Sequence, residues 1–113
     1  MLLYIHIPFC DSKCFYCSFN SYVDKFNLKQ DYMNALNTQL VYELDRLCVS
    51  YNSIESVFIG GGTPSSVEAS LYKDIFKTLK PYLKENIEIT SEANPNSATL
   101  SWLDTMFDLG VNR

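Results

Sequence analysis

An α/β fold on a parallel sheet is predicted by two features of the sequence. Short β-rich runs alternate with longer helical ones in the order βαβαβα, and each β run is followed at once by an unusual loop. Helical crossovers between parallel strands are right-handed and cover the sheet. Ligands of such folds gather at the carboxyl ends of the strands, so the loops there are the first place to look for function.

Leu2 to Ile7 reads as the first strand, with Leu3, Ile5 and Ile7 on one face and Tyr4 and His6 on the other; Pro8 ends it. A segment from Phe9 to about Asn27, rich in Ser, Asn and Asp, has no clear periodicity, and structureless loops of that length are usually functional or disordered. From about Leu28 to Leu47 the residues Met33, Leu36, Leu40, Leu44 and Leu47 recur at three and four, which predicts an amphipathic helix. Ser56-Val57-Phe58-Ile59 predicts a short buried strand closed by Gly60-Gly61-Gly62. Leu71, Ile75, Phe76, Leu79 and Leu83 mark a second helix that Pro81 ends or kinks near Lys80. Ile87 to Glu92 alternates as a third strand, ended by Asn94-Pro95. A third helix is expected from about Ser101 to Leu109, with Gly110 just past its end.

A complete (β/α)₈ barrel needs about 250 residues. The 113 residues here, with three βα units, are therefore expected to be the N-terminal portion of a larger, incomplete barrel-like domain. The chain stops at Val111-Asn112-Arg113, where a fourth strand would begin, and its third strand would have an unpaired edge.

Composition narrows the function. With 47% hydrophobic and 19% charged residues the chain has ample material for a core. Nine Lys and Arg against thirteen Asp and Glu give a net charge of −4, which disfavours a nucleic-acid partner. No apolar run approaches the roughly 20 residues that span a bilayer. The start, Met1-Leu2-Leu3-Tyr4, lacks the basic region of a signal peptide, so a cytoplasmic location is expected. A reducing compartment makes close-set cysteines metal ligands or redox groups rather than disulfides. Three of the four, Cys10, Cys14 and Cys17, lie within eight residues as C-x₃-C-x₂-C.

Three thiolates at this spacing can hold three corners of a [4Fe–4S] cube, leaving one iron open to chelate a substrate. Two other readings share the residues. A zinc site would take Cys10, Cys14 and Cys17 with either His6 or Cys48, and a redox pair would use Cys14 and Cys17 alone. Cys48, near the end of the first helix, is otherwise expected to be a small buried hydrophobe. His6 is as readily a hydrogen-bonded core residue as a site residue. The triple glycine matches neither a P-loop nor the dinucleotide fingerprint, so neither nucleotide hydrolysis nor nicotinamide binding is indicated.

Tyr4-Ile5-His6-Ile7-Pro8-Phe9-Cys10, Cys14-Phe15-Tyr16-Cys17, Gly60-Gly61-Gly62-Thr63-Pro64-Ser65, Ser91-Glu92-Ala93-Asn94-Pro95 and Leu109-Gly110-Val111-Asn112-Arg113 follow one another in order. Together they resemble the start of the radical S-adenosylmethionine (SAM) proteins of the anaerobic, oxygen-independent coproporphyrinogen III oxidase-like family. The resemblance implies a partial (β/α) TIM-like barrel with a [4Fe–4S] cluster on Cys10, Cys14 and Cys17, whose open iron binds SAM. One-electron reduction then releases a 5′-deoxyadenosyl radical. By the same resemblance Tyr4, Tyr16, Gly61, Gly62, Thr63 and Glu92 contact SAM, with Tyr16 acting mainly through its backbone. A carboxylate at Glu92 suits a ligand bearing ammonium, sulfonium and ribose hydroxyl groups.

Oxidases of that family carry a further cysteine two residues after the third, where this chain has Cys17-Ser18-Phe19. The departure resembles the heme chaperone branch. It implies heme as a ligand of the full-length protein, a respiratory protein as heme acceptor and a small redox protein as electron donor. Coproporphyrinogen decarboxylation is the alternative, and a small zinc-binding module the alternative of another class.

Overall fold

The structure is a computed structural model and describes residues 1–9 and 26–113. Three strands, β1 (Leu2–Ile7), β2 (Ile54–Gly61) and β3 (Leu83–Ser91), form one parallel sheet in the order β1-β2-β3. Helices α1 (Phe26–Arg46), α2 (Lys73–Leu79) and α3 (Leu100–Leu109) alternate with them. The predicted α/β class and βαβαβα order are those observed.

The alternation of β1 does what its pattern predicts. Ile5 and Ile7 are buried while Tyr4 and His6 are exposed. Ile59 of β2 pairs with Ile5, Val57 with Leu3, and Ile89 of β3 with Val57, completing an apolar sheet face that joins the core. Met33, Leu40 and Leu44 of α1, Ile75, Phe76 and Leu79 of α2, and Trp102 and Met106 of α3 close over it. Among the described residues the other sheet face is open. Phe58, expected in a wholly buried strand, is 42% exposed because none of the described helices covers the face it shares with Tyr4 and His6.

Element ends differ from expectation for identifiable reasons. Helix α1 stops at Arg46, so Leu47, expected on its buried stripe, is 53% exposed. Cys48, expected to be buried, is exposed with φ 50°. At this left-handed residue the chain turns, and the Val49 N–H returns to the Leu44 carbonyl at 3.0 Å. Leu83, expected on the second helix, instead starts β3. Pro81 has no N–H to continue the helix, and the chain passes through a 3₁₀ turn at Lys80–Tyr82. The start of β3 also bulges. Between the pairs Ile54–Leu83 and Ser56–Glu88, β2 advances two residues and β3 five, with Asn86 at φ 56°.

Thr99 caps α3 by accepting the Trp102 N–H at 3.1 Å, and Gly110, at φ 123°, ends it. Beyond Gly110 the chain runs beside β3. Asn112 N–H donates to Ile89 O at 2.9 Å and Ser91 N–H to Arg113 O at 3.1 Å. The Asn112 amide side chain accepts from Ile89 N and donates to Ile87 O. The edge of β3, expected to be unpaired, is thus partly satisfied by residues 112 and 113.

Candidate functional site at the carboxyl ends of the strands

The three strands end in loops that bond to one another. Gly62 N–H donates to Ile7 O and Thr63 N–H to Phe9 O, each at 2.6 Å. These bonds seat the Gly-Gly-Gly-Thr turn against the exit of β1, one residue before Cys10. On the other side Gly61 N–H donates to Glu92 Oε1 at 3.1 Å, and Glu92 N–H extends the sheet ladder to Ile59 O at 2.9 Å.

Glycine is required here by close packing. A Cβ on Gly60 would lie 2.6 Å from Glu92 Oε1, one on Gly61 2.6 Å from the His6 ring, and one on Gly62 2.5 Å from Phe9 O. Gly61 also holds φ 110°, which L side chains rarely adopt. The triple glycine therefore lets three loops meet.

On the open face, the Tyr4 hydroxyl and His6 Nδ1 are 3.1 Å apart. Tyr4 stacks on Phe58 with ring centroids 6.0 Å apart and an interplanar angle of 16°. The back of β1 is held by Tyr32 of α1, whose hydroxyl donates to His6 O. Burial raises the Tyr32 phenol above its ordinary pKa, with Tyr4 adding to the shift.

Of the residues singled out in the sequence, Tyr4, Gly61, Gly62, Thr63 and Glu92 lie at this end of the sheet. A continuous path of contacts links them through His6 and Phe9. Cys10, Cys14, Tyr16 and Cys17 lie outside the described residues. His6 proves to be a neighbour of both Tyr4 and Gly61. Phe58 was missed as a site neighbour, although its place two residues before Gly60 sets it on the face of Tyr4 in register. Ser65 was quoted within a motif but given no role.

The chemistry of the set suits the implied cofactors. Cys10 follows Phe9 in the sequence, and Glu92 is exposed with acceptor capacity beyond its one bond to Gly61. A carboxylate, an exposed phenol and glycine backbone at the carboxyl ends of the strands can receive a cationic, hydroxyl-bearing ligand.

A parallel α/β sheet with polar groups and a glycine turn at the carboxyl ends of its strands is the architecture of a ligand-binding barrel segment. The chain belongs to the radical SAM superfamily, whose family profile matches residues 4–113. It is 39% identical over 116 residues to the heme chaperone HemW of Haemophilus influenzae, covering 98% of this chain and 30% of that protein. It is 33% identical over 113 residues to HemW of Bacillus subtilis, covering 97% and 29%. The solved structure of coproporphyrinogen III oxidase (HemN) from Escherichia coli, a radical SAM enzyme, superposes with a TM-score of 0.82 at 28% identity, over 99% of this chain and 26% of that one. The chain thus spans less than a third of the length of these relatives. Among the described residues no helix is long and apolar enough to cross a membrane.

Proposed function

We propose that residues 1–113 are the N-terminal portion of a radical SAM core in a cytoplasmic heme chaperone-like protein. In this reading Cys10, Cys14 and Cys17 hold a [4Fe–4S] cluster, and Tyr4, Tyr16, Gly61, Gly62, Thr63 and Glu92 contact SAM. The observation that carries it is the seating of the Gly-Gly-Gly-Thr turn. Its bonds to Ile7 and Phe9 hold the glycines against the residues that precede Cys10 in the sequence, and Glu92 is bonded to the same turn.

When bound, the cluster supplies the electron that cleaves SAM reductively. The chain's own residues do the rest. Glu92 accepts hydrogen bonds from a polar, positively charged ligand, and the glycine turn presents backbone groups without side-chain obstruction. Tyr4, tied to His6, offers a hydroxyl at the edge of the same surface. Heme as ligand, a respiratory protein as acceptor and a small redox protein as donor belong to the full-length protein. Phe19 in place of a further cysteine, together with the HemW likenesses, supports the chaperone reading. The likeness to HemN supports oxygen-independent coproporphyrinogen III oxidation as the second reading.

Anaerobic iron–sulfur reconstitution of the full-length protein, followed by electron paramagnetic resonance with and without SAM, tests the site. A [4Fe–4S] signal that shifts with SAM and disappears in Cys14→Ser is the expected result. A folded protein that takes up zinc and no cluster would overturn it. Heme titration and a coproporphyrinogen assay then separate the two activities: stoichiometric heme binding without decarboxylation is expected.

A further inference from the structure

Ser65 is buried, at 5% exposure, and is the one polar residue apart from tyrosine and tryptophan that is buried among the described residues. It follows buried Pro64 in the 3₁₀ turn Pro64–Ser66 that closes the β2 loop. That turn is anchored by the Tyr72 hydroxyl, which donates to Pro64 O at 2.8 Å, and by Trp102 Nε1, which donates to Val67 O at 2.8 Å. Its hydroxyl points at a different loop. Ser65 Oγ accepts the Asn94 N–H at 2.9 Å and lies 2.6 Å from Ser97 Oγ.

One arrangement of the protons closes a ring. Ser97 Oγ is also 3.4 Å from Asn94 O, to which it can donate. Ser65 then donates to Ser97. A closed ring results, from Asn94 N–H through two hydroxyls back to the Asn94 carbonyl. Every donor in it has an acceptor, and hydrogen bonds in such a ring reinforce one another away from water.

The ring fixes Asn94, two residues beyond Glu92. On its other side Glu92 is fixed by the ladder bond from its own N–H to Ile59 O. Glu92 is thus suspended between two anchored points, both on the β2 segment, while its carboxylate bonds to Gly61 of that segment. Without the ring, the loop after β3 would, among the described residues, be tied to the β2 segment at Glu92 alone, through its N–H and its exposed carboxylate.

We propose that Ser65 is a positioning residue: through Asn94 it sets the Glu92 carboxylate against the Gly61–Thr63 turn and so tunes the affinity for SAM. The inference rests on the SAM reading of this site given above. Ser65 itself need not touch the ligand.

The test uses the full-length protein with its cluster reconstituted, and measures SAM affinity by equilibrium dialysis alongside iron content. Ser65→Ala leaves the Asn94 N–H without its acceptor and is expected to weaken SAM binding about tenfold at unchanged iron content. Ser65→Thr, which keeps the hydroxyl, is expected to bind like the wild type. In a Glu92→Gln background Ser65→Ala should add nothing, because both changes remove the same placed carboxylate. Ser97→Ala, which removes the partner of the Ser65 hydroxyl but leaves the Asn94 N–H on Ser65, is expected to weaken SAM binding in the same direction by a smaller factor and to add nothing in Glu92→Gln, and it serves if Ser65→Ala folds poorly. Additive losses, or wild-type affinity in Ser65→Ala, would overturn the inference alone. A wild-type protein that holds its cluster and ignores SAM would remove the reading beneath it.

Discussion

Gly62 and Tyr72 show two kinds of constraint that single residues impose on this site. At Gly62 the constraint is space, since a Cβ would meet both the Phe9 and the Ile7 carbonyl oxygens. Gly62→Ala is therefore expected to displace Phe9 and the start of the cysteine loop, and to lower the iron retained after reconstitution several-fold relative to wild type. At Tyr72 the constraint is a buried hydroxyl bonded to Pro64 O. Tyr72→Phe should cost about 1–2 kcal/mol in urea denaturation by orphaning that carbonyl. Burial also raises the Tyr72 phenol above its ordinary value of 10.0. A folded-state pKa above the unfolded one contributes stability that is complete below pH 10 and is lost as pH rises further. The difference between wild type and Tyr72→Phe should accordingly shrink in denaturation series carried above that pH.

At the scale of elements, legibility followed periodicity. Strand β1 and helix α3 were read within a residue of their observed ends, because each has a sharp terminator: Pro8 for the strand, Gly110 for the helix. Thr99→Ala should cost about 1 kcal/mol, since it removes the acceptor of the Trp102 N–H. Thermal denaturation against wild type measures it. The β3 start was misread for a physical reason. Leu83 continues the helical spacing of Leu79, and a bulge with Asn86 in the left-handed region breaks the strand alternation that would have announced it. Cys48 and Leu47 went the same way, because the apolar stripe of α1 runs on past the residue where the helix stops.

At the scale of the whole molecule, the described residues leave one sheet face covered and one open. Leu100 and Phe107 of α3 are 75% and 70% exposed, and Leu2 at the start of β1 is 75% exposed. Surfaces of this kind associate when nothing covers them. Residues 1–113 alone are expected to self-associate with rising concentration in sedimentation velocity, and Leu100→Glu with Phe107→Glu should reduce it. Persistent monomers at all concentrations would count against that expectation.

The sequence by itself determined the order of elements, the parallel class and the residues that gather at the strand ends, because hydrophobic period, proline and glycine act over a few positions. It also placed the cysteine, glycine and glutamate motifs in one family by their order. Only the tertiary structure decided that Phe58 stacks on Tyr4, that His6 lies against Gly61 and that Ser65 reaches Asn94. Those contacts depend on register between strands and on loops meeting across the sheet. Such pairings join residues tens of positions apart, and no local pattern in the chain encodes them.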